Sequence, residues 1–388
     1  MSRGPADKAA IAGVGCTELS KDSGVSTTTL AARAVLSALA DAGLTVDDVD
    51  GLVTYSTGDS VGPNELAPVL GIRDLAYQQH IWGGGSICQT VVGNALLACA
   101  SGAATCVVCY RALNSRSELR FGAASRTADA ARRDAQYRAP YGLFTPAQEY
   151  ALAARQHMIR YGTTSDHLGS IAVAQRAFAA VNERAIMRQP ITLADYHRSR
   201  MIAEPFHLLD CCLETDGACA LVVTTPDRAA DLPQVPVLIS GAAWALGHSS
   251  VSNQWPDQTE SAATYTAGRL FSMAGIGPDE VDVAELYDCF TYSVLVQLED
   301  FGFCKKGDGG PFVASGATAA GGSLPVNTHG GALSEGYIHG LNHTVEAVEQ
   351  LRHQSGARQV PGAEVALVTG QPGIITGETC ALLLRRAR

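Results

Sequence analysis

The sequence predicts an α/β fold made of two related halves, each with helices laid on a mixed sheet. Three observations carry this. Short β-branched runs alternate with longer stretches of helical periodicity along the chain. A fourteen-residue unit recurs: residues 42–55 read AGLTVDDVDGLVTY and residues 274–287 read AGIGPDEVDVAELY. Six positions are identical at an offset of 232, and each copy follows a helical stretch. Residues 80–100, HIWGGGSICQTVVGNALLACA, open on three glycines and run into an apolar segment that reads as a buried helix. The N-terminus of such a helix offers free amides and a partial positive charge.

Taken in order, residues 9–15 form a short apolar run ending in glycine, which reads as a strand. Residues 27–42 have apolar side chains at helical spacing and hydroxyls suited to an N-cap, and Gly43 ends the helix. An acidic turn and a β-branched strand follow over 46–55, then the glycine-opened helix, then a strand at 104–110. From Arg111 to about Tyr141 the composition turns to glycine, alanine, serine and the arginines 116, 120, 126, 132, 133 and 138. This reads as an inserted loop of functional length rather than core, its arginines either solvated or placed to meet phosphates. Amphipathic helices are expected at 146–161, 165–182 and 193–200, and a strand at 219–224. The proline-rich stretch 231–236 marks a boundary. The chain is therefore expected to divide into residues 1–230, with an insertion at about 111–215, and residues 236–388. The second part opens with a strand at 237–240, then a helix at 261–274, a strand ending at Tyr287 and a helix at 290–301. It closes with strands at 365–369 and 380–384.

Composition narrows the function classes. Of 388 residues, 46% are hydrophobic and 17% charged, which describes a well-buried globular chain of two ordinary domains. A formal charge of −10 argues against a nucleic-acid face, which needs a basic stripe. No run of 18 apolar residues is present, so no membrane span is expected, and the first residues lack the apolar core of a signal peptide. Among the eleven cysteines, Cys106 and Cys109 form a CxxC and Cys211 and Cys212 are adjacent. Both pairs lie in apolar surroundings, with no second pair at zinc spacing, so buried free thiols in a reducing cytoplasm and no metal are expected.

Residues 330–340, GGALSEGYIHG, carry the strongest local signal. Glycines surround a single phenol, Tyr337, in a pattern suited to a tight loop that presents one functional side chain.

Together with EPFHLLDCCLETDGACALVV, ELYDCF and the glycine-opened helix, this loop resembles the thiolase superfamily, most nearly its sterol carrier protein and lipid-transfer branch. The resemblance spans essentially the whole chain. It implies the thiolase fold, a duplicated five-layered αβαβα arrangement, and a homodimer. It also exposes departures. The nucleophilic cysteine of thiolases falls on Gly85, or Gly84 with one residue of slack, and a glycine cannot form an acyl-enzyme. The asparagine or histidine that helps hold the thioester oxyanion is matched by Tyr287 of ELYDCF. The histidine of the GHP loop is matched by Tyr337, and the second catalytic cysteine is absent, its nearest match being Gly370.

Two lost cysteines and two gained tyrosines resemble the thiolase-like steroid side-chain-cleaving aldolases. That likeness implies retro-aldol cleavage of a steroid β-hydroxyacyl-CoA to a ring ketone and a short acyl-CoA such as propionyl-CoA. It also implies an OB-fold, acyl-CoA-associated partner that completes a heterotetramer. The coenzyme A thioester is substrate, and no cofactor is expected. Tyr337 is placed on the β-hydroxyl and Tyr287 on the enolate, with the exchanged roles left open. Loss of the cysteine at Gly85 is expected to open room for a branched β-carbon. His339 and His343 stand close enough in sequence to tune Tyr337. Cys88 and Cys289 flank the site as alternative nucleophiles, which leaves open a thiolase or acyltransferase reading. A non-catalytic lipid-binding subunit is the third reading.

Overall fold

The computed structural model describes residues 4–118, 120, 139–247 and 257–387. Among them, nine strands form one mixed sheet in the order β3-β2-β4-β7-β1-β8-β11-β10-β9. These are β1 (Ala10–Cys16), β2 (Gly51–Ser56), β3 (Tyr77–Trp82), β4 (Cys106–Asn114), β7 (Asp216–Thr224), β8 (Val237–Leu246), β9 (Val283–Glu285), β10 (Val365–Thr369) and β11 (Glu378–Arg386). The short strands β5 (Met201–Ala203) and β6 (Phe206–His207) make a separate hairpin.

The antiparallel pair β1–β8 sits at the middle of the sheet. Outward from β1 the pairings run antiparallel to β7, antiparallel to β4, then parallel to β2. Outward from β8 they repeat the same series with β11, β10 and β9. The recurrent fourteen-residue unit occupies matching places on the two sides. Helix α1 (Thr27–Ala42) ends at Gly43 with φ 70°, and the helix Ala263–Ala274 ends at Gly275 with φ 71°. A 3₁₀ turn follows each, Val46–Asp48 and Pro278–Glu280. The Asp50 carboxylate then accepts the N–H groups of Thr105 and Cys106 at the start of β4, and Asp282 accepts those of Glu364 and Val365 at the start of β10.

Helix α1 begins on an N-cap in which Ser26 accepts the Thr29 N–H, and its alanine face (Ala31, Ala34, Ala38, Ala42) lies on β1. The approach is close enough that a Cβ at Gly15 would stand 2.4 Å from the Ala38 nitrogen, so glycine is required there. The helices α2 (Pro63–Leu70), α3 (Thr90–Ser101), α4 (Pro146–Tyr161), α5 (Ser165–Ala180), α6 (Leu193–Arg198) and α7 (Pro226–Ala230) follow. After α8 (Ala263–Ala274) come α9 (Thr291–Asp300), α10 (Gly309–Ala314), α11 (Gly331–Ser334) and α12 (Leu341–Leu351). Helix α1 covers one outer face on β1, β4 and β7, and α8 covers another on β8 and β11. Between them α3 and α12 each touch strands from both sides of the sheet, giving the layer order helix, sheet, helix, sheet, helix. Strand β4 shows how the core divides: Cys106, Val108, Tyr110 and Ala112 pack under α1, whereas Val107, Cys109 and Leu113 pack under the inner helices. The two cysteines of the CxxC thus face opposite sides of one strand, as period-2 alternation with an odd offset dictates.

Several expectations need correction. Residues 77–82, partly read as a lead-in to a helix, are the edge strand β3, and α3 starts only at Thr90 after a 3₁₀ turn at Gly85–Ile87. Helix α2 went unread because its prolines look like breakers, yet Pro63 sits at the first turn, where no N–H is needed. The inserted loop does not begin at Arg111: β4 runs to Asn114, and Arg111 is fully buried. Arg120 pairs with Glu214 at 2.6 Å, while Arg126, Arg132, Arg133 and Arg138 lie outside the described residues. No helix among the described residues is long and apolar enough to cross a membrane. They include no cluster of metal-ligating side chains, and the cysteines are free thiols.

Candidate active site

Tyr287 and Tyr337, fifty residues apart, meet at their hydroxyls: the two oxygens are 2.6 Å apart and the rings cross at 77°. Both side chains are buried. Tyr287 lies two residues beyond the end of β9. Its N–H donates to Thr369 Oγ1 at 3.0 Å and its carbonyl accepts from Gln297 Nε2 at 2.8 Å, so β10 and α9 hold it from two sides. Tyr337 lies in the glycine loop between α11 and α12, with its N–H on Thr215 Oγ1 at 3.1 Å. Asp288, the next residue after Tyr287, fastens that loop. Its two oxygens accept the N–H groups of Ala332 and Leu333 at the start of α11 and one bond from His343 Nε2. A carboxylate at helix-start amides that have no partner within the helix is a favourable placement.

Gly85 explains the position of Tyr287. A Cβ at residue 85 would lie 2.2 Å from both Cζ and Oη of Tyr287. The phenol therefore occupies the volume a side chain at 85 would take. This overturns the expectation that glycine there leaves open room beside a thioester, since the ring of Tyr287 fills it. Gly370 is closed in the same way: a Cβ there would lie 2.6 Å from Cys380 Sγ and 2.6 Å from the Gly85 carbonyl.

The other residues singled out in the sequence also converge. His343 stacks on Tyr287, with ring centroids 6.2 Å apart and planes 16° apart. The His339 ring is 5.1 Å from that of Tyr337 and lies against Gly84, where a Cβ would come 2.8 Å from Nε2. Cys88 and Cys289 flank the pair in chemically quiet settings. Burial, reinforced by Cys380, pushes the Cys88 thiol well up, and burial raises Cys289 to about 12. Cys289 Sγ lies 3.1 Å from Ser293 Oγ. A thiolate is the nucleophilic form, so neither cysteine is poised to attack a thioester. Intact-mass measurement after incubation with short and long acyl-CoA esters should accordingly find no covalent adduct. A turning-over acyl group on Cys88 or Cys289 would restore the acyltransferase reading.

Three neighbours went unread. Tyr55, the repeat counterpart of Tyr287, donates its hydroxyl to the His339 carbonyl at 2.8 Å. Arg111, buried in β4, reaches His339 Nδ1 at 2.9 Å and clamps both Asp59 oxygens at 2.7 Å. The matching of Tyr55 and Tyr287 in the repeated unit was the one available signal; for Arg111 and Asp59 no local pattern exists.

The electrostatics distinguish the two phenols. Burial raises Tyr287 well above the usual tyrosine range, and Tyr337 adds to that. Burial also raises Tyr337, but the bond from Tyr287 and the Arg111 charge pull the other way. Either hydroxyl can be the donor in the bond between them.

Residues 243–385 match the family model described as Thiolase C-terminal domain-like. The chain is 46% identical over 379 residues to a 17-hydroxy-3-oxo-4-pregnene-20-carboxyl-CoA lyase of Mycobacterium tuberculosis, covering 95% of this chain and 97% of that protein. It is 46% identical over 378 residues to a steroid side-chain-cleaving aldolase of Thermomonospora curvata, covering 95% and 96%. A solved Ltp2-ChsH2(DUF35) aldolase superposes with a TM-score of 0.91 at 44% identity over 99% of both chains.

Proposed function

The chain belongs to the thiolase-fold family of steroid side-chain-cleaving aldolases, and on that premise we propose that Tyr287 and Tyr337 carry the proton transfers of its retro-aldol reaction. The enzyme is a carbon–carbon lyase that acts on a steroid side-chain acyl-CoA thioester. The observation that supports the two-phenol mechanism best is the 2.6 Å contact between the hydroxyls, beside Gly85, which the resemblance matches to the thiolase nucleophile.

In this reading Tyr337, as its phenolate, removes the proton of the tertiary β-hydroxyl. The Cα–Cβ bond breaks, the β-carbon becomes the ring ketone, and the bond electrons pass to the thioester as an enolate. Tyr287 delivers a proton to the α-carbon, releasing a short acyl-CoA such as propionyl-CoA. The direct bond between the two oxygens lets the proton gained by Tyr337 replace the one lost by Tyr287, so the pair ends the cycle as it began. No covalent intermediate and no cofactor other than the coenzyme A of the substrate enters these steps.

The raised phenols set the pH behaviour. A base whose pKa lies above 10 becomes more available as pH rises, so kcat/KM should climb by about tenfold per unit from pH 6 to 9 with no plateau. A plateau near pH 7 would point to a histidine base and contradict the assignment.

The reading includes a homodimer with an OB-fold DUF35 partner bound as a heterotetramer, working in the cytoplasm. Two features support it. The solved neighbour is an aldolase named with a DUF35 component. Strand β3 is also a sheet edge with an exposed face at Gln78, His80 and Trp82, the last 74% exposed. Open edges of this kind call for a partner or a cover. Light scattering of the chain alone should give a dimer at micromolar concentration, and a monodisperse monomer would contradict this assembly.

A further inference from the structure

We propose that His329 is a positioning residue for the retro-aldol reaction: it ties Glu285 to Glu335 and so sets the hydroxyl of Tyr337 against that of Tyr287. The assignment rests on the two-phenol reading above and supplies what holds two segments fifty residues apart in place. Glu285 stands two residues before Tyr287, and Glu335 stands two residues before Tyr337. His329 lies between these carboxylates, with Nδ1 2.9 Å from Glu285 Oε2 and Nε2 3.7 Å from Glu335 Oε2. All three side chains are buried.

The segment before His329 is docked on the one that carries Tyr287. Val326 bridges Ala284 in parallel register, and the Asn327 N–H donates to the Ala284 carbonyl at 3.0 Å. The Asn327 side chain clips Leu286: its Oδ1 accepts the Leu286 N–H at 2.7 Å and its Nδ2 donates to the Leu286 carbonyl at 2.8 Å. Thr328 Oγ1 donates to Glu285 Oε1 at 2.8 Å. On the other side, the Glu335 carboxylate accepts from Asn182 Nδ2 at 3.0 Å and from Asn342 Nδ2 at 2.9 Å. Asn342 also holds the Gly336 carbonyl at 3.2 Å, directly before Tyr337. The His329 ring meets that of His343 edge-on at 4.7 Å, and His343 in turn stacks on Tyr287.

Charge, rather than N–H direction, carries the tie, since neither ring nitrogen of His329 makes an aligned hydrogen bond. Burial alone would strip the ring of its proton, but Glu335, Glu285 and Glu346 outweigh it and hold the imidazole pKa up to about 9. Glu346, on α12, has its own counter-charges in Arg184 and Arg358. A neutral side chain at 329 would leave Glu285 and Glu335 without the cation they share, which is costly for buried carboxylates. The segment ahead of Tyr337 would then shift relative to β9.

His329→Gln keeps a polar side chain of similar size and removes the charge. The expected result is a folded enzyme whose kcat falls by about tenfold to a hundredfold, with KM little changed. In a Tyr337→Phe background the same substitution should cost less than about threefold further, because the hydroxyl it positions is already gone. A merely structural role predicts either an unchanged kcat per folded enzyme or the same loss in both backgrounds, and each of these would overturn the proposal. Should His329→Gln fail to fold, Glu335→Gln loosens the other end of the tie and should give the same pattern. Failure of both to fold would show that the cluster holds the fold rather than the phenols, and would overturn the proposal too. If Tyr287→Phe and Tyr337→Phe are strongly impaired while the His329 pattern is absent, the two-phenol reading stands and only the positioning role falls. Active tyrosine variants would remove the reading itself and this assignment with it.

Discussion

Tyr287→Phe and Tyr337→Phe are each expected to lose about a hundredfold or more in kcat while remaining folded. Phenylalanine keeps the ring, and with it the stacking of Tyr287 on His343 and the packing against Gly85, and removes only an oxygen. Each change leaves the other hydroxyl without its 2.6 Å partner in a buried place, a cost of about 1–3 kcal/mol. For a chain of this size that lowers the melting temperature by only a few degrees. The double variant should lose far less than the product of the two single losses, because in the proposed mechanism both phenols serve one proton path. Thermal unfolding measured beside kcat separates chemistry from folding. If the two hydroxyls only fill space, losses in rate track losses in melting temperature and stay small.

Gly85→Cys is the second large effect, and its sign is informative. Placing a cysteine at residue 85, the position that the resemblance to thiolases matches to their nucleophile, should not restore acyl transfer. The new Cβ would overlap the Tyr287 ring at 2.2 Å, so the phenol must move out of its bond with Tyr337. Overpacking of this kind costs about 1–3 kcal/mol, and a displacement of about 1 Å at a reacting group can cost about a hundredfold in rate. The variant should therefore be destabilised and inactive as an aldolase. Adding Tyr287→Ala should relieve the overlap but leave a cavity in its place, so neither stability nor cleavage returns to the wild-type level. A Gly85→Cys enzyme with wild-type turnover would show that Tyr287 does not occupy that volume during the reaction.

Local pattern made much of this readable in advance. Helix α1 and its glycine stop follow from apolar spacing and capping chemistry alone, and the repeated unit pointed to matching structures that the paired series of strands contains. Tyr287 and Tyr337 were legible because they stand in motifs with a known frame. What was missed is non-local. Arg111 looked like the first arginine of a loop because its burial depends on Asp59 and His339, far away in sequence. Strand β3 was obscured because glutamine and histidine alternate with its partly buried residues, as suits an edge with one wet face. The filling of the space over Gly85 was misread for a related reason. Glycine tells which side chain is absent, and only the packing tells what stands in its place.

Product analysis tests the central claim most directly. The purified chain, with and without a DUF35 partner, is incubated with a steroid acyl-CoA that carries a tertiary β-hydroxyl, in the absence of free coenzyme A. Mass spectrometry should show a ring ketone and a short acyl-CoA in equal amounts, with the protein mass unchanged throughout. An acyl group left on the protein, or cleavage that proceeds only when free coenzyme A is supplied as acceptor, would contradict the two-phenol retro-aldol mechanism.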